Sequence, residues 1–240
     1  MKIDFSKNAF CITISERRYE LFKHIFKSFS LPLPIRFDGY RIDEDPALGC
    51  SLSHYNLIQM AKAEKLPYLI VMEDDIFPRK DIVEHLNKAL SDVPDGFDWL
   101  KLEDNYFTKF KKNFDYNDIW FEGINKRTGS GTGCYVISEN AYDIALEIYE
   151  NPVNEDFGKQ MTKADLVMPL SQILRNCNSY ALKKLAFLQH HILKDENIIS
   201  PIQFEDGSVK GLLARYNEDA SNFEIEAFIK NNTDFLDQLV

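Results

Sequence analysis

The sequence lacks a basic excess and closely spaced cysteines, two features that would each indicate a class of protein. Its 28 Lys and Arg residues face 38 Asp and Glu residues, a net charge of -10. No surplus of positive charge is therefore available to displace counterions from nucleic acid, and nucleic acid is not an expected partner. The absence of any C-x-x-C pair excludes a zinc knuckle or a disulfide framework and predicts reduced thiols. The four cysteines are Cys11, Cys50, Cys134 and Cys177.

Long apolar runs are missing as well. Nowhere do eighteen apolar residues follow one another, and the N-terminal stretch M-K-I-D-F-S-K-N carries an acid and lacks an apolar core. We therefore expect a cytoplasmic protein with neither a standard secretion signal nor a membrane-spanning segment. What is present, 45% hydrophobic and 28% charged residues, is typical of a soluble globular protein. We expect one domain over residues 1–195, with residues 196–240 as a C-terminal extension packed on it.

Strand-like and helix-like patterns alternate along the first third of the chain. A short β-rich run at 9–14 precedes Ser15, which can cap a helix ending at L-P-L-P, residues 31–34. A second strand, 35–37, is followed by D-G-Y, an irregular acidic loop at 43–46 and a helix predicted over 51–65. This βαβαβ order predicts an α/β fold that opens like a nucleotide-binding sheet.

The third strand of this series carries the strongest functional signal. The apolar run from Tyr68 to Met72 predicts a strand that is buried on both faces. Three acids, Glu73, Asp74 and Asp75, follow it directly. Ionised carboxylates at the end of a buried strand need a compensating positive charge, which a divalent cation would supply. A solvated acidic turn remains the alternative.

The second half contains two further strand ends of interest. A strand over 97–102 is followed by Glu103-Asp104-Asn105, and the glycine-rich run T-G-S-G-T-G-C at 128–134 leads into a strand and then a helix over 140–149. Glycines such as Gly131 and Gly133 let a backbone approach a ligand closely, but the run is not a G-x-G-x-x-G motif.

Several segments together resemble glycosyltransferase family 25, the bacterial lipopolysaccharide (lipooligosaccharide) biosynthesis glycosyltransferases. They are L-G-C-S-L-S-H at 48–54, L-I-V-M-E-D-D at 69–75, F-D-G-Y at 37–40, G-T-G-C-Y-V-I-S at 131–138, K-A-D-L-V-M-P at 163–169 and F-L-Q at 187–189. The resemblance covers roughly residues 10–195. Arg17 and Arg18 follow the first strand more closely than the paired arginines of the family do.

The resemblance implies a GT-A-like nucleotide-diphospho-sugar transferase fold, with a mostly parallel central sheet flanked by helices. It also implies an inverting, metal-dependent transfer of a hexose onto a lipopolysaccharide, lipooligosaccharide or related glycan acceptor. Galactose, from UDP-galactose as the donor, is the first expectation for this hexose. The expected cofactor is Mn²⁺ or Mg²⁺, ions that prefer oxygen ligands.

Candidate ligands for this chemistry follow from the motifs. We expect Asp75 to hold the metal with help from Glu73 or Asp74, since alternation along a strand would place Glu73 and Asp75 on one face. One of His190 and His191, with His191 preferred, is a candidate to complete the metal shell, although a surface or core histidine is the simpler interpretation. For the nucleotide-sugar we expect contributions from His54, Ser53, Asp74, Gly131 and Gly133.

A general base must take the proton of the acceptor hydroxyl. Asp165 is the first candidate, because it begins a predicted helix where enzymes of the GT-A class commonly place their base. Glu103 and Asp104 are the reserves. Asp165 could equally be an acid that complements the helix dipole.

Two other functions share some of these features. A phosphorelay receiver also has an acidic cluster after a buried strand, but there it ends the first strand, whereas here a βαβα segment precedes it. A catalytically silent nucleotide-sugar or carbohydrate-binding module would keep the acids and lack the base.

The implied acceptor is anchored in the inner membrane, so we expect at most peripheral membrane contact; a homo-oligomer is left open. Lys109, Lys111 and Lys112 are the candidate membrane contact. The acidic amphipathic tail at 222–239 is expected to pack on its own domain or on a partner subunit.

Overall fold

A computed structural model describes residues 2–103, 116–122, 132–150, 153–154, 159–160, 177–190, 192–193 and 222–239. Its first third confirms the predicted βαβαβ order. The elements are β1 (Ala9–Thr13), α1 (Glu16–Ser28), β2 (Ile35–Asp38), α2 (Pro46–Ala63) and β3 (Tyr68–Glu73).

Helix α2 begins five residues earlier than the sequence predicted. The side chain of Asp45 accepts a hydrogen bond from the backbone N–H of Leu48 at 3.1 Å, which caps the helix. Pro46 follows at a position where its missing N–H costs nothing. The acidic stretch that resembled a loop is therefore in part a helix start.

The remaining described elements alternate less regularly. They are β4 (Ile76–Pro78), α3 (Ile82–Ser91), β5 (Trp99–Lys101), β6 (Trp120–Glu122), β7 (Cys134–Ser138), a 3-10 turn (Glu139–Ala141), α4 (Tyr142–Glu150), β8 (Val153–Asn154), β9 (Lys159–Gln160), β10 (Ser179–Leu182), β11 (Phe187–Gln189), α5 (Ile225–Asn231) and α6 (Thr233–Gln238).

Seven strands form the central sheet in the order β2-β1-β3-β7-β5-β10-β6. Five of them run in one direction, while β7 and β6 run against their neighbours. The expected mostly parallel α/β sheet is thus present. Strand β3 lies in the interior between β1 and β7, as the sequence predicted.

Helices cover both faces of this sheet, and β3 shows how one strand serves two cores. Leu69 and Val71 pack with apolar residues of α2 and α4 on one face. Ile70 and Met72 pack with α1 and α3 on the other. Alternate side chains of a strand point to opposite faces, so a strand covered on both sides is apolar throughout.

The C-terminal helices lie against the same core as α1. Phe223 and Phe228 are buried in that core. The ring of His24 in α1 stacks on Phe235 with the centroids 4.0 Å apart, and its Nε2 lies 2.7 Å from Oδ1 of Asn232. These contacts join the end of the described chain to its first helix.

Among the helices within the described residues, none combines the length and the apolar character that crossing a membrane requires.

Candidate functional site

The candidate site lies at one edge of the sheet, where several strands end together. β1 ends at Thr13 and β3 at Glu73, and these strands are parallel neighbours. Thr132 and Gly133 immediately precede the antiparallel strand β7, so they reach the same edge. Glu103 follows β5, which also points this way. This is the edge at which open α/β sheets bind ligands.

Arg18 supplies positive charge to the acidic turn. Its Nη2 lies 2.6 Å from Oδ1 of Asp74 and 3.1 Å from Oδ2 of Asp75. The hydroxyl of Thr13 donates to Oδ2 of Asp74 at 2.6 Å. The sequence argument that these acids require a metal was therefore incomplete, because a guanidinium from α1 already compensates two of them.

The predicted sharing of a face by Glu73 and Asp75 rested on strand alternation. β3 ends at Glu73, and Asp74 and Asp75 form the turn into β4, so strand alternation does not continue through them. It is Asp74 and Asp75 that meet at Arg18, while Glu73 turns toward α2.

Burial dominates the protonation of Asp74, which is only 4% exposed. Desolvation raises the pKa of its carboxyl to about 7, with the charge of Asp75 adding to the rise and Arg18 and Thr13 opposing it. With this pKa, the carboxyl of Asp74 changes between its neutral and ionised forms near neutral pH.

Glu73 is held by a different set of partners. Its Oε1 lies 3.1 Å from Nε2 of His54 and accepts a short hydrogen bond from the hydroxyl of Thr132. Burial alone would raise the pKa of Glu73, but the hydrogen bond and charge of His54, with Thr132 and Arg18, outweigh it and lower that pKa. The other ring nitrogen of His54, Nδ1, lies 2.9 Å from the hydroxyl of Tyr135.

Residues of the motif L-G-C-S-L-S-H pack helix α2 closely against the loop that precedes it. A side chain at Gly49 would place its Cβ 2.5 Å from the carbonyl oxygen of Tyr40, so only glycine allows this approach. Ser53 donates to the carbonyl of Gly49 at 2.7 Å and accepts from the N–H of Tyr40 at 2.8 Å. Ser53, predicted to contact the nucleotide-sugar, holds the loop in this structure.

Cys50 and His54, four residues apart on α2, approach Glu73 from the same side. One donor atom from each of the three residues lies within 4.8 Å of the other two, the one such group among the described His, Cys, Asp and Glu residues. Cys50 is exposed as a residue. Its sulfur lies among the donor atoms of this group, and desolvation there, together with the charge of Glu73, raises the pKa of the thiol.

Glu103 and Gly133 form a second buried contact at this edge. The N–H of Gly133 donates to Oε1 of Glu103 at 3.2 Å, and Glu103 is 2% exposed. A Cβ at Gly133 would lie 2.9 Å from Oε2 of Glu103. Gly133, expected to admit a ligand, thus leaves room for this carboxylate.

The segment that resembles the F-L-Q of the family also reaches the acids. Nε2 of Gln189 lies 3.5 Å from Oε2 of Glu73, a long contact. The backbone N–H of His190 donates to the carbonyl of Asp75 at 2.7 Å. The buried ring of His190 accepts at Nδ1 from the N–H of Ile192 at 3.2 Å.

Four predicted site residues, Asp104, Gly131, Asp165 and His191, lie outside the described residues. Conversely, sequence reasoning did not single out Thr13, Thr132 and Tyr135, and it left the role of Arg18 open. Arg18 had one usable signal: it lies in the first turn after a strand parallel to the acidic one, so its charge could reach the same edge. Isolated Thr and Tyr residues give no such signal.

The match to a family model agrees with the motifs. The model of glycosyltransferase family 25 (LPS biosynthesis protein) matches residues 44–168, whereas no curated protein matches significantly. The fold is similar to the crystal structure of A197 from STIV, with 14% identity, 78% of this chain and 85% of that chain covered, and a TM-score of 0.41. It is also similar to a glycosyltransferase involved in the glycosylation of the major capsid of PBCV-1, with 10% identity, coverage of 79% and 96%, and a TM-score of 0.41. Since the family match extends over more than half of the 240 residues, the chain belongs to glycosyltransferase family 25.

Proposed function

We propose that this chain transfers a hexose, galactose from UDP-galactose, with inversion onto a lipopolysaccharide, lipooligosaccharide or related glycan acceptor. The observation that carries the proposal is the acidic turn after β3, which lies within the family match and at the ligand-binding edge of the sheet. The sugar and the acceptor rest on the family resemblance.

A divalent cation belongs to the proposal, and Asp75 is the acid of the turn that fits it best. Asp74 does not fit, because both of its oxygens already take contacts of 2.6 Å from Thr13 and Arg18. The side chain of Asp75 is 15% exposed, and its contact with Arg18 is the longer one. Bound Mn²⁺ or Mg²⁺ would neutralise the diphosphate leaving group, and such ions often take only one or two protein carboxylates.

Inverting transfer also needs a base near the acceptor. The acceptor oxygen attacks the anomeric carbon as its proton passes to the base, while the bond from that carbon to the phosphate oxygen breaks and UDP leaves with the electron pair. Among the described residues we assign Glu103 as the candidate base, since its carboxylate is already fixed by the N–H of Gly133. Asp165 and Asp104 are alternative candidates outside the described residues.

A donor screen by mass spectrometry, run with Mn²⁺ and with a chelator, tests the proposal. We expect UDP-galactose to be consumed in the presence of a glycan acceptor and Mn²⁺ only. Asp75→Ala should abolish this turnover and leave cooperative unfolding intact, because Arg18 keeps its 2.6 Å contact with Asp74 when the longer contact with Asp75 is removed. Asp143→Ala is the matched control, since Asp143 lies on α4 with its side chain 77% exposed and pairs with Lys62.

The outcomes of this screen distinguish an active transferase from a silent binding module and from a structural role of the acidic turn. If no UDP-sugar is bound or consumed, the donor assignment is wrong. Donor binding without turnover in any acceptor mixture would instead indicate a catalytically silent binding module. If Asp75→Ala no longer unfolds cooperatively, the acidic turn has a structural role.

Peripheral attachment to an anionic membrane completes the proposal. Lys109, Lys111 and Lys112 are the candidate contact, and they lie outside the described residues. Each lysine near such a surface contributes about 1 kcal/mol. Replacing all three by glutamine should reduce sedimentation with anionic liposomes without changing transfer to a short soluble acceptor, and equal sedimentation of both proteins would refute the membrane role.

A further inference from the structure

We propose that Cys50, His54 and Glu73 form a binding site for a thiophilic divalent cation of the Zn²⁺ type, distinct from the hard-cation position at Asp75. The proposal concerns binding only and does not depend on glycosyl transfer.

The backbone brings the three donors together. Cys50 and His54 are four residues apart on α2, so their side chains project from the same helix face. Glu73 ends β3 beside that face, with Oε1 3.1 Å from Nε2 of His54. All three donor atoms lie within 4.8 Å of one another. Zinc sits about 2.0–2.3 Å from such ligands, which requires donor separations of roughly 3–4 Å, so a small rotation of side chains suffices.

The types of donor select the cation. One sulfur, one imidazole nitrogen and one carboxylate oxygen suit Zn²⁺, whereas Mg²⁺ prefers oxygen alone. A thiolate and a carboxylate also neutralise the two positive charges of the ion. That balance matters here because His54 is only 1% exposed and an uncompensated charge beside it would be costly. Three protein ligands leave a fourth position for water or another ligand.

A second set of side chains already orients these donors. The hydroxyl of Tyr135 lies 2.9 Å from Nδ1 of His54, and the hydroxyl of Thr132 donates to Oε1 of Glu73. Outer partners of this kind fix the ring orientation and tautomer of a metal-binding histidine. With Nε2 facing the cation, the proton of His54 resides on Nδ1 and is donated to Tyr135, and the thiol proton of Cys50 passes to solvent.

Titration of the full, metal-stripped chain with Co²⁺ tests the site, because cobalt replaces zinc and reports its ligands spectroscopically. We expect one equivalent to bind with a thiolate-to-cobalt charge-transfer band in the near ultraviolet, and Zn²⁺ to displace it. Cys50→Ser should abolish the band, and His54→Gln should weaken binding at least tenfold. Cys177→Ser is the matched control, since Cys177 is a partly buried thiol outside the cluster, and it should bind like the unaltered chain.

A second measurement covers the case in which these variants fail to fold. In the unaltered chain, Zn²⁺ should slow alkylation of Cys50 and leave alkylation of Cys177 unchanged, as read by mass spectrometry of peptides. Tyr135→Phe should weaken cobalt binding by about tenfold and keep the charge-transfer band, because it removes an outer partner only. The proposal is overturned if no band appears, if Cys50→Ser retains it, or if Zn²⁺ protects both cysteines equally. Failure of these experiments leaves the donor screen at Asp75 unaffected, and the reverse also holds.

Discussion

Replacing Asp74 by asparagine should change how the stability of this protein depends on pH. The carboxyl of Asp74 has an ordinary pKa of 3.8, which burial raises to about 7 in the folded protein. Below pH 3.8 both the folded and the unfolded chain hold the proton, and the group has no effect. Between pH 3.8 and 7 the unfolded chain ionises while the folded one retains its proton, so the free energy of unfolding falls as pH rises.

The size of the effect follows from the two pKa values. A difference of about three units, at 1.36 kcal/mol each, corresponds to about 4 kcal/mol lost between pH 4 and pH 8. Asparagine has nearly the same shape, can still accept from the hydroxyl of Thr13, and does not ionise. The free energy of unfolding of Asp74→Asn, relative to that of the unaltered protein, should therefore rise by about 4 kcal/mol between pH 4 and pH 8.

Urea unfolding at several pH values, with a chelator present, measures the difference. The neighbouring Glu73→Gln serves as a control of opposite sign, because the pKa of Glu73 is lowered from its ordinary value of 4.5. Its ionised form stabilises the fold above that pH, and this stabilisation is lost as pH falls through the lowered folded pKa. If Asp74→Asn and the unaltered protein give parallel curves from pH 4 to pH 8, Arg18 keeps Asp74 ionised and our reasoning is refuted.

Two further predictions concern the helix start beside the site and the packing of the C-terminal helices. Gly49→Ala should cost about 2 kcal/mol or more in urea unfolding, since its Cβ would lie 2.5 Å from a backbone oxygen; Gly96→Ala, with no atom within 4 Å but a φ of +67°, should cost about 1 kcal/mol. An equal loss in both would mean that the helix simply shifts. His24→Ala should loosen the C-terminal helices by removing the contacts with Phe235 and Asn232, so trypsin should cleave after Lys230 faster. Unchanged cleavage would contradict this.

Sequence patterns predicted the interior strand well and the strand directions poorly. Every side chain of the apolar run in β3 is buried only if the strand is covered on both faces, and this is its position in the structure. β7 is equally apolar, but it runs antiparallel to β3, and no pattern of side chains encodes the direction of a buried strand. The early start of α2 did have a signal, the pair Asp45-Pro46, which acidity of the loop obscured.

The candidate site was predictable in position and less so in its contacts. Acids that follow a buried strand reach the ligand-binding edge by topology alone, so the location of Glu73, Asp74 and Asp75 followed from the sequence. Their charge compensation was not predicted. The place of Arg18 after a parallel strand allowed it to reach this edge, but only the folded sheet shows that its guanidinium contacts Asp74 and Asp75. A repulsive cluster indicates that a cation is needed, and a guanidinium meets that need as a metal does.

The hydrogen bond from His190 to the carbonyl of Asp75 has a consequence for how the protein is made. During translation the acidic turn is synthesised long before His190, which donates to it. In the same way β4 is synthesised long before β11, the strand with which it pairs. Contacts between such distant residues form late and slowly. A nascent chain halted before residue 187 should therefore already contain β1 and β3 yet hold an acidic turn whose backbone lacks the hydrogen bond from His190.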